Sequence, residues 1–225
     1  VGLAVVLLVG GALMVRTFVK LNAVDIGFDP ENVLAVTVGL DRQRYASEPS
    51  RVDFLEHVAS DVAGLPRVTG GALAAGIPPA PGTRGLAELE TDAGRCVGDA
   101  TSIVANVVGS AYFGLMGMRI VDGRPFRDDD PRNSAVVSRS LERVCGDSLA
   151  GRRIRLGPQS PWMRVVGVAA DVKSFGITSE AQDVAMYVPL GNDPGSVLPM
   201  MATLHDRRVE ARRLIIRAER PLALV

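Results

Sequence analysis

The sequence predicts an α+β chain in which a membrane helix leads into two lobes of mixed strand and helix. Three stretches carry that prediction. Val1 to Val15 is apolar and free of charge, Val33 to Ile77 alternates strand, helix and strand, and Pro78, Pro79, Pro81 and Gly82 then break the pattern. A run that cannot continue a central strand marks a boundary between units.

The opening run reads as the end of a membrane-spanning helix. A full span takes about 20 apolar residues, and the chain opens on Val1, so the missing turns are expected upstream. A signal peptide would end in a small-residue cleavage site, whereas this run meets Arg16 and Lys20. Gly2, Gly10 and Gly11 are costly in a soluble helix and common in packed membrane helices. The visible flank does not settle which side of the membrane the rest occupies, because long domains translocate regardless of charge.

Asp25 to Asn32 gathers turn residues and forms a connector, and Val33 to Leu40 is the first strand. Ser50 with Asp53 suggests a capping start, and Val52, Leu55, Val58, Ala59 and Val62 recur at helical spacing up to Gly64 and Pro66. Val68 to Ile77 is the second strand. A second lobe begins near Leu86, with two strands around a turn at Asp92-Ala93-Gly94 and a helical turn at Tyr112 to Met116. Ala135 to Val137, Arg152 to Leu156, Met163 to Ala169 and Met186 to Leu190 read as strands, and Ser138 to Val144 as a short helix. Leu214 to Arg217 is a last strand, and Pro221 to Leu224 opens a helix in an incomplete unit.

A strand-helix-strand unit leaves open sheet edges, so Val33 to Ile77 should pair with strands from the end of the chain. Met186 to Leu190 and Leu214 to Arg217 are the candidates. The expected division is therefore residues 1–20 as membrane helix, 25–80 with 184–225 as one discontinuous lobe, and 85–183 as an inserted lobe.

Lysine plus arginine and aspartate plus glutamate number 25 each, so no net field points to nucleic acid. No Gly-x-x-x-x-Gly-Lys-Ser/Thr phosphate loop occurs, and Gly70, Gly71 and Gly76 do not open a helix, so nucleotide hydrolysis is not expected of this chain. Gly146-Asp147-Ser148-Leu149-Ala150-Gly151 places its second glycine too far for a nucleophile elbow. His57 and His205 are the two histidines, too few for a relay or a histidine metal site. Asp128-Asp129-Asp130 reads as a loop paired with Arg124, Arg127 and Arg132 rather than a cation site. No catalytic, cofactor-binding or metal-ligating residue is assigned, and no cofactor. Cys96 and Cys145 lack metal-ligand spacing; one bridge in an oxidising compartment and two buried thiols fit the sequence equally.

A set of short motifs carries a family resemblance. These are the run ending Val15-Arg16, Gly27-Phe28-Asp29-Pro30-Glu31-Asn32-Val33, and Tyr112-Phe113 with Gly117-Met118 and Gly123-Arg124-Pro125-Phe126. Ala135-Val136-Val137, Gly151-Arg152-Arg153-Ile154, Val165-Val166-Gly167-Val168 with Asp171-Val172, and Tyr187-Val188-Pro189-Leu190 follow in order. Together they resemble the periplasmic core domain of MacB-like permeases, within the FtsX-like family of ABC transporter subunits. The resemblance implies a permease of four membrane helices in the inner membrane, with a periplasmic domain after the first. That domain would hold a porter-like lobe of β-α-β units and an inserted lobe. It implies a cytoplasmic ABC ATPase subunit or domain as partner, a homodimer or heterodimer of permeases, and a periplasmic adaptor. The chain departs from the pattern in a shorter piece between Val137 and Gly151 and a longer one from Gly191 to Arg213, which contains Asp206-Arg207-Arg208.

Two functions follow as expectations. In the first, the domain relays ATP-driven movement across the membrane during efflux or lipoprotein-type transport. In the second, it is an interaction module that recruits or activates a periplasmic partner such as a cell-wall hydrolase.

Overall fold

The computed structural model describes residues 2–22, 24–40, 47–78, 83–96, 101–156, 160–173, 184–190 and 211–219. His205, Asp206-Arg207-Arg208 and Pro221 to Leu224 lie outside the described residues, as do Pro79, Pro81 and Gly82 of the proline-rich break. The architecture is α+β with a mixed sheet behind an apolar helix, as the sequence predicts.

Helix α1 covers Gly2–Asn22, and its apolar stretch, Gly2–Leu21, is long enough to cross a membrane and is not buried against the rest of the protein. The connector leads into β1 (Val33–Gly39), α2 (Glu48–Ala63) and β2 (Val68–Ala74). The cap of α2 is Ser47 rather than Ser50: the Ser47 hydroxyl accepts from the Ser50 backbone N–H at 3.3 Å, and Pro49 sits in the first turn. The Ser50-Asp53 spacing misplaces the start because proline needs no amide partner there, so the helix begins a turn earlier. Leu55, Val58, Ala59 and Val62 pack with Leu73, Leu214 and Ile216 on one face of the sheet.

The next elements are β3 (Thr83–Ala87), β4 (Leu89–Thr91), β5 (Gly94–Arg95) and β6 (Thr101–Val108). Two strands were expected here, and four are present because the chain changes partners at Glu88: β3 pairs with β6, whereas β4 pairs with β5 and β9 (Arg153–Leu156). Helix α3 (Tyr112–Leu115) follows, then β7 (Ile120–Gly123), which the sequence reading missed, and β8 (Ser134–Ser138). Helix α4 (Arg139–Cys145) is capped by the Ser138 hydroxyl and ends at Gly146 in the left-handed region. Strands β10 (Met163–Ala169), β11 (Ala185–Pro189) and β12 (Ala211–Ala218) complete the described residues.

These twelve strands form one sheet in the order β1-β12-β2-β6-β11-β8-β10-β9-β4-β5, with β3 added on β6 and β7 on β10. Strand β12 runs antiparallel between β1 and β2, matching Val33 with Arg217 and Val68 with Ala218. Strand β11 does not join that unit, as had been expected of Met186 to Leu190; it lies between β6, to which it is parallel, and β8. Met186 and Val188 are fully buried, as a central strand requires, and neither edge of the first unit would cover both faces. Strands β2 and β6 meet through one residue pair, Ala74 with Val108.

Candidate functional site

The connector is held to the domain by a few directed bonds. Phe28-Asp29-Pro30 carries a carboxylate beside a proline whose φ is fixed, so Asp29 is presented in a defined direction. Asp29 N–H donates to the Met116 carbonyl at 2.8 Å, and its Oδ1 accepts from Glu31 N–H at 3.0 Å. The Arg217 guanidinium then closes the arrangement. Its Nη1 donates to Asp29 Oδ2 and its Nη2 to the Asp29 carbonyl, both at 2.6 Å, while its Nε donates to the Leu115 carbonyl at 2.7 Å. One side chain on β12 therefore joins the connector to the end of α3. The guanidinium beside Asp29 holds its carboxyl below the usual carboxylate range, with the Glu31 amide adding to the effect.

Two glycines let the segments approach. At Gly117, φ is +62° and a Cβ would lie 2.9 Å from the Asp29 Cβ. At Gly27, φ is +81° and a Cβ would fall on the Asp171 carbonyl oxygen. Both need the left-handed region and the space. Lys173 N–H donates to the Ile26 carbonyl at 3.0 Å, adding a second attachment. Behind it, Asp171 accepts from Ser140 N–H at 2.6 Å and pairs with Arg143 of α4.

Beneath α3 lies an aromatic cluster. The Phe113 ring meets Tyr112, Phe126 and Tyr187 at centroid distances of 5.6, 5.8 and 5.1 Å. Such packing fixes the short helix whose carbonyls receive the clamp. Burial pushes the Tyr112 hydroxyl pKa up.

His57 is exposed, with Nδ1 2.6 Å from the Asp53 carbonyl, a contact within α2. Asp130 receives both terminal nitrogens of Arg124, at 2.6 and 2.7 Å, and Arg127 N–H at 2.9 Å, which lowers its pKa and raises that of Arg124. Asp128 accepts from the Ser110 hydroxyl. Among the described residues no three of His, Cys, Asp or Glu gather as a metal site would require. The Gly146 to Gly151 stretch is a loop in which Asp147 pairs with Arg152 at 2.8 Å. Cys96 and Cys145 are bridged, with Cα atoms 4.3 Å apart, and both pack on the cluster containing Leu89, Leu141 and Ile154.

A model of the MacB-like periplasmic core domain matches residues 1–222, nearly the whole chain. The chain belongs to that family. Several solved structures are similar to it. The periplasmic region of MacB from Actinobacillus actinomycetemcomitans is 15% identical, with 91% of this chain and 82% of that one covered and a TM-score of 0.49. The extracellular domain of the noncanonic ABC-type transporter YknZ from Gram-positive bacteria is 17% identical, with 84% of each chain covered and a TM-score of 0.46. A comparison with curated proteins returned no match. In this MacB-like domain the sequence reading found the connector but not its partners. Arg217 was legible only as a cation within an apolar strand, a position that needs an acceptor. The receiving carbonyls carry no sequence signal.

Proposed function

We propose that this MacB-like domain belongs to an ABC-type permease of the inner membrane and relays ATP-driven movement of the membrane helices into its extracytoplasmic lobes. The observation that carries the reading is the clamp. Three residues separate the end of α1 from Ile26, and from there the connector is bonded to Met116 at the end of α3, to β12 and to the 171–173 segment. A relay needs a stiff joint at that place, since a flexible linker would absorb the movement. The motor in this reading is a cytoplasmic ABC ATPase subunit or domain. The permease works as a homodimer or heterodimer, with a periplasmic adaptor as a further partner and no catalytic residue in this chain. The porter-like lobe comprises residues 25–80 with β12, and the inserted lobe residues 85–183 with β11.

The test is a distance measurement on the full permease with its ATPase in vesicles. Spin labels at Asp61→Cys in the two subunits should report one distance without nucleotide and another after vanadate trapping. An unchanged distance would overturn the relay.

The interaction-module reading has its own support. Trp162 lies beneath two guanidinium groups, Arg155 at 4.7 Å and Arg153 at 5.7 Å from the ring centroid, and tryptophan with arginine is the usual composition of a binding hot spot. This group sits at the start of β10, whose seven residues span about 23 Å before the 171–173 segment that is bonded to Ile26. Under that reading a Trp162→Ala variant loses a periplasmic partner while the labels remain unmoved by nucleotide.

A further inference from the structure

At the sheet end where the connector enters, one turn carries an apolar side chain into solvent. Leu65, between α2 and β2, is 54% exposed, whereas the only other exposed large hydrophobics outside α1 among the described residues are Val36 and Val121, at 37% each. Beside it Arg67 is exposed, holds φ at +70°, and has no described group paired with its guanidinium. The turn is firmly built: Leu65 N–H donates to the Val62 carbonyl at 3.1 Å, and Val68 N–H to the Leu65 carbonyl at 3.2 Å. A bulky residue held in the left-handed region is a strain that marks functional positions more often than idle ones.

The turn's place relative to the membrane helix follows from short links. Ile26 is bonded to Lys173 and lies four residues past the end of α1, a span of at most about 14 Å. Asp29 is bonded to Arg217, Ala218 N–H donates to the Asn32 carbonyl at 3.1 Å, and Glu219 N–H donates to the Arg67 carbonyl at 2.9 Å. The chain thus enters the sheet at Val33, and β12 ends in the same row as this turn.

We propose that the turn at residues 64–67 is a second membrane contact: Leu65 enters the boundary between headgroups and acyl chains, and Arg67 pairs with lipid phosphate. An apolar tip next to a guanidinium with no partner among the described residues is the composition that fits this zone. The contact would keep the sheet end seated on the bilayer as α1 and the domain move together. This inference rests on α1 spanning the membrane, so the experiment reads α1 separately.

The full permease in vesicles of phosphatidylethanolamine and phosphatidylglycerol is spin-labelled at Leu65→Cys, at Glu56→Cys on the exposed side of α2, or at Val9→Cys within α1. Collisions with oxygen and with a water-soluble nickel chelate are then measured. The expected result is a higher oxygen-to-nickel ratio at position 65 than at 56, reduced by Arg67→Glu. Equal ratios at 65 and 56, with position 9 reporting hydrocarbon, would overturn the contact while leaving α1 intact. An immobilised label at 65 reached by neither reagent would also overturn it, since the neighbour would then be protein. A water-like reading at position 9 would remove the spanning helix, and the contact with it.

Discussion

Arg217 on β12 and Asp29 in the connector are 188 positions apart and meet at 2.6 Å. The bond spans the described chain almost end to end and closes a ring of backbone and side-chain bonds around the sheet end beside α1. Because Arg217 also donates to two carbonyls, its removal strands three acceptors at once.

Arg217→Ala should therefore destabilise the protein by about 1–3 kcal/mol, the range for acceptors left without their donor. Asp29→Asn should cost less, since the carboxylate side chain is 47% exposed and water replaces part of what it loses. Denaturant unfolding of the two variants checks the order. A larger loss for Asp29→Asn would contradict it.

The acid limb of stability should depend on Asp29 and Asp130. Both carboxyls are held below their ordinary range by arginine hydrogen bonds, so their contribution is complete above the unfolded value of about 4 and disappears as pH falls through the lower folded values. Asp130, whose side chain is 6% exposed, should dominate. Thermal midpoints between pH 2 and 6 should show a flatter acid limb in Asp130→Asn than in the parent.

Gly27→Ala should cost more than Gly94→Ala. Both glycines have positive φ, at +81° and +130°, but a Cβ at Gly94 meets nothing within 4 Å while one at Gly27 collides with the Asp171 carbonyl. Equal losses would mean that backbone strain alone matters and the close packing does not.

The Cys96–Cys145 bridge closes a separation of 49 residues between the β4–β5 hairpin and α4. Replacing both by serine should destabilise by about 2–4 kcal/mol. The protein isolated without reductant should present no free thiol from this pair, and reactive thiols there would contradict the bridge and the oxidising location that goes with it.

Much of the local structure was legible because its causes are local. The alternation in Val33 to Leu40, the 3.6-residue spacing through α2, and the run from Ser138 to Val144 each state their element, and Met163 to Ala169 matches β10 at both ends. The failures concern partners. Strand β11 reads as a strand but carries no mark naming β6 and β8 as its neighbours, and β12 was cut short because Arg212 and Arg213 resemble its polar flank. The site divides in the same way: Asp25 to Asn32 is visible as a connector, whereas the Leu115 and Met116 carbonyls are backbone groups that any sequence supplies. Whether Cys96 meets Cys145 was open for the same reason, since spacing does not encode a contact across 49 residues.

The central claim is that the joint between α1 and the domain is stiff enough to transmit movement. The most direct measurement is the distance between spin labels at Lys20→Cys, in the last turn of α1, and Glu56→Cys in α2, taken within one subunit of the full permease in vesicles. The account predicts one narrow distribution, unchanged between nucleotide-free and vanadate-trapped states, which broadens in Arg217→Ala. A broad distribution in the parent protein, or one that Arg217→Ala leaves untouched, would contradict it.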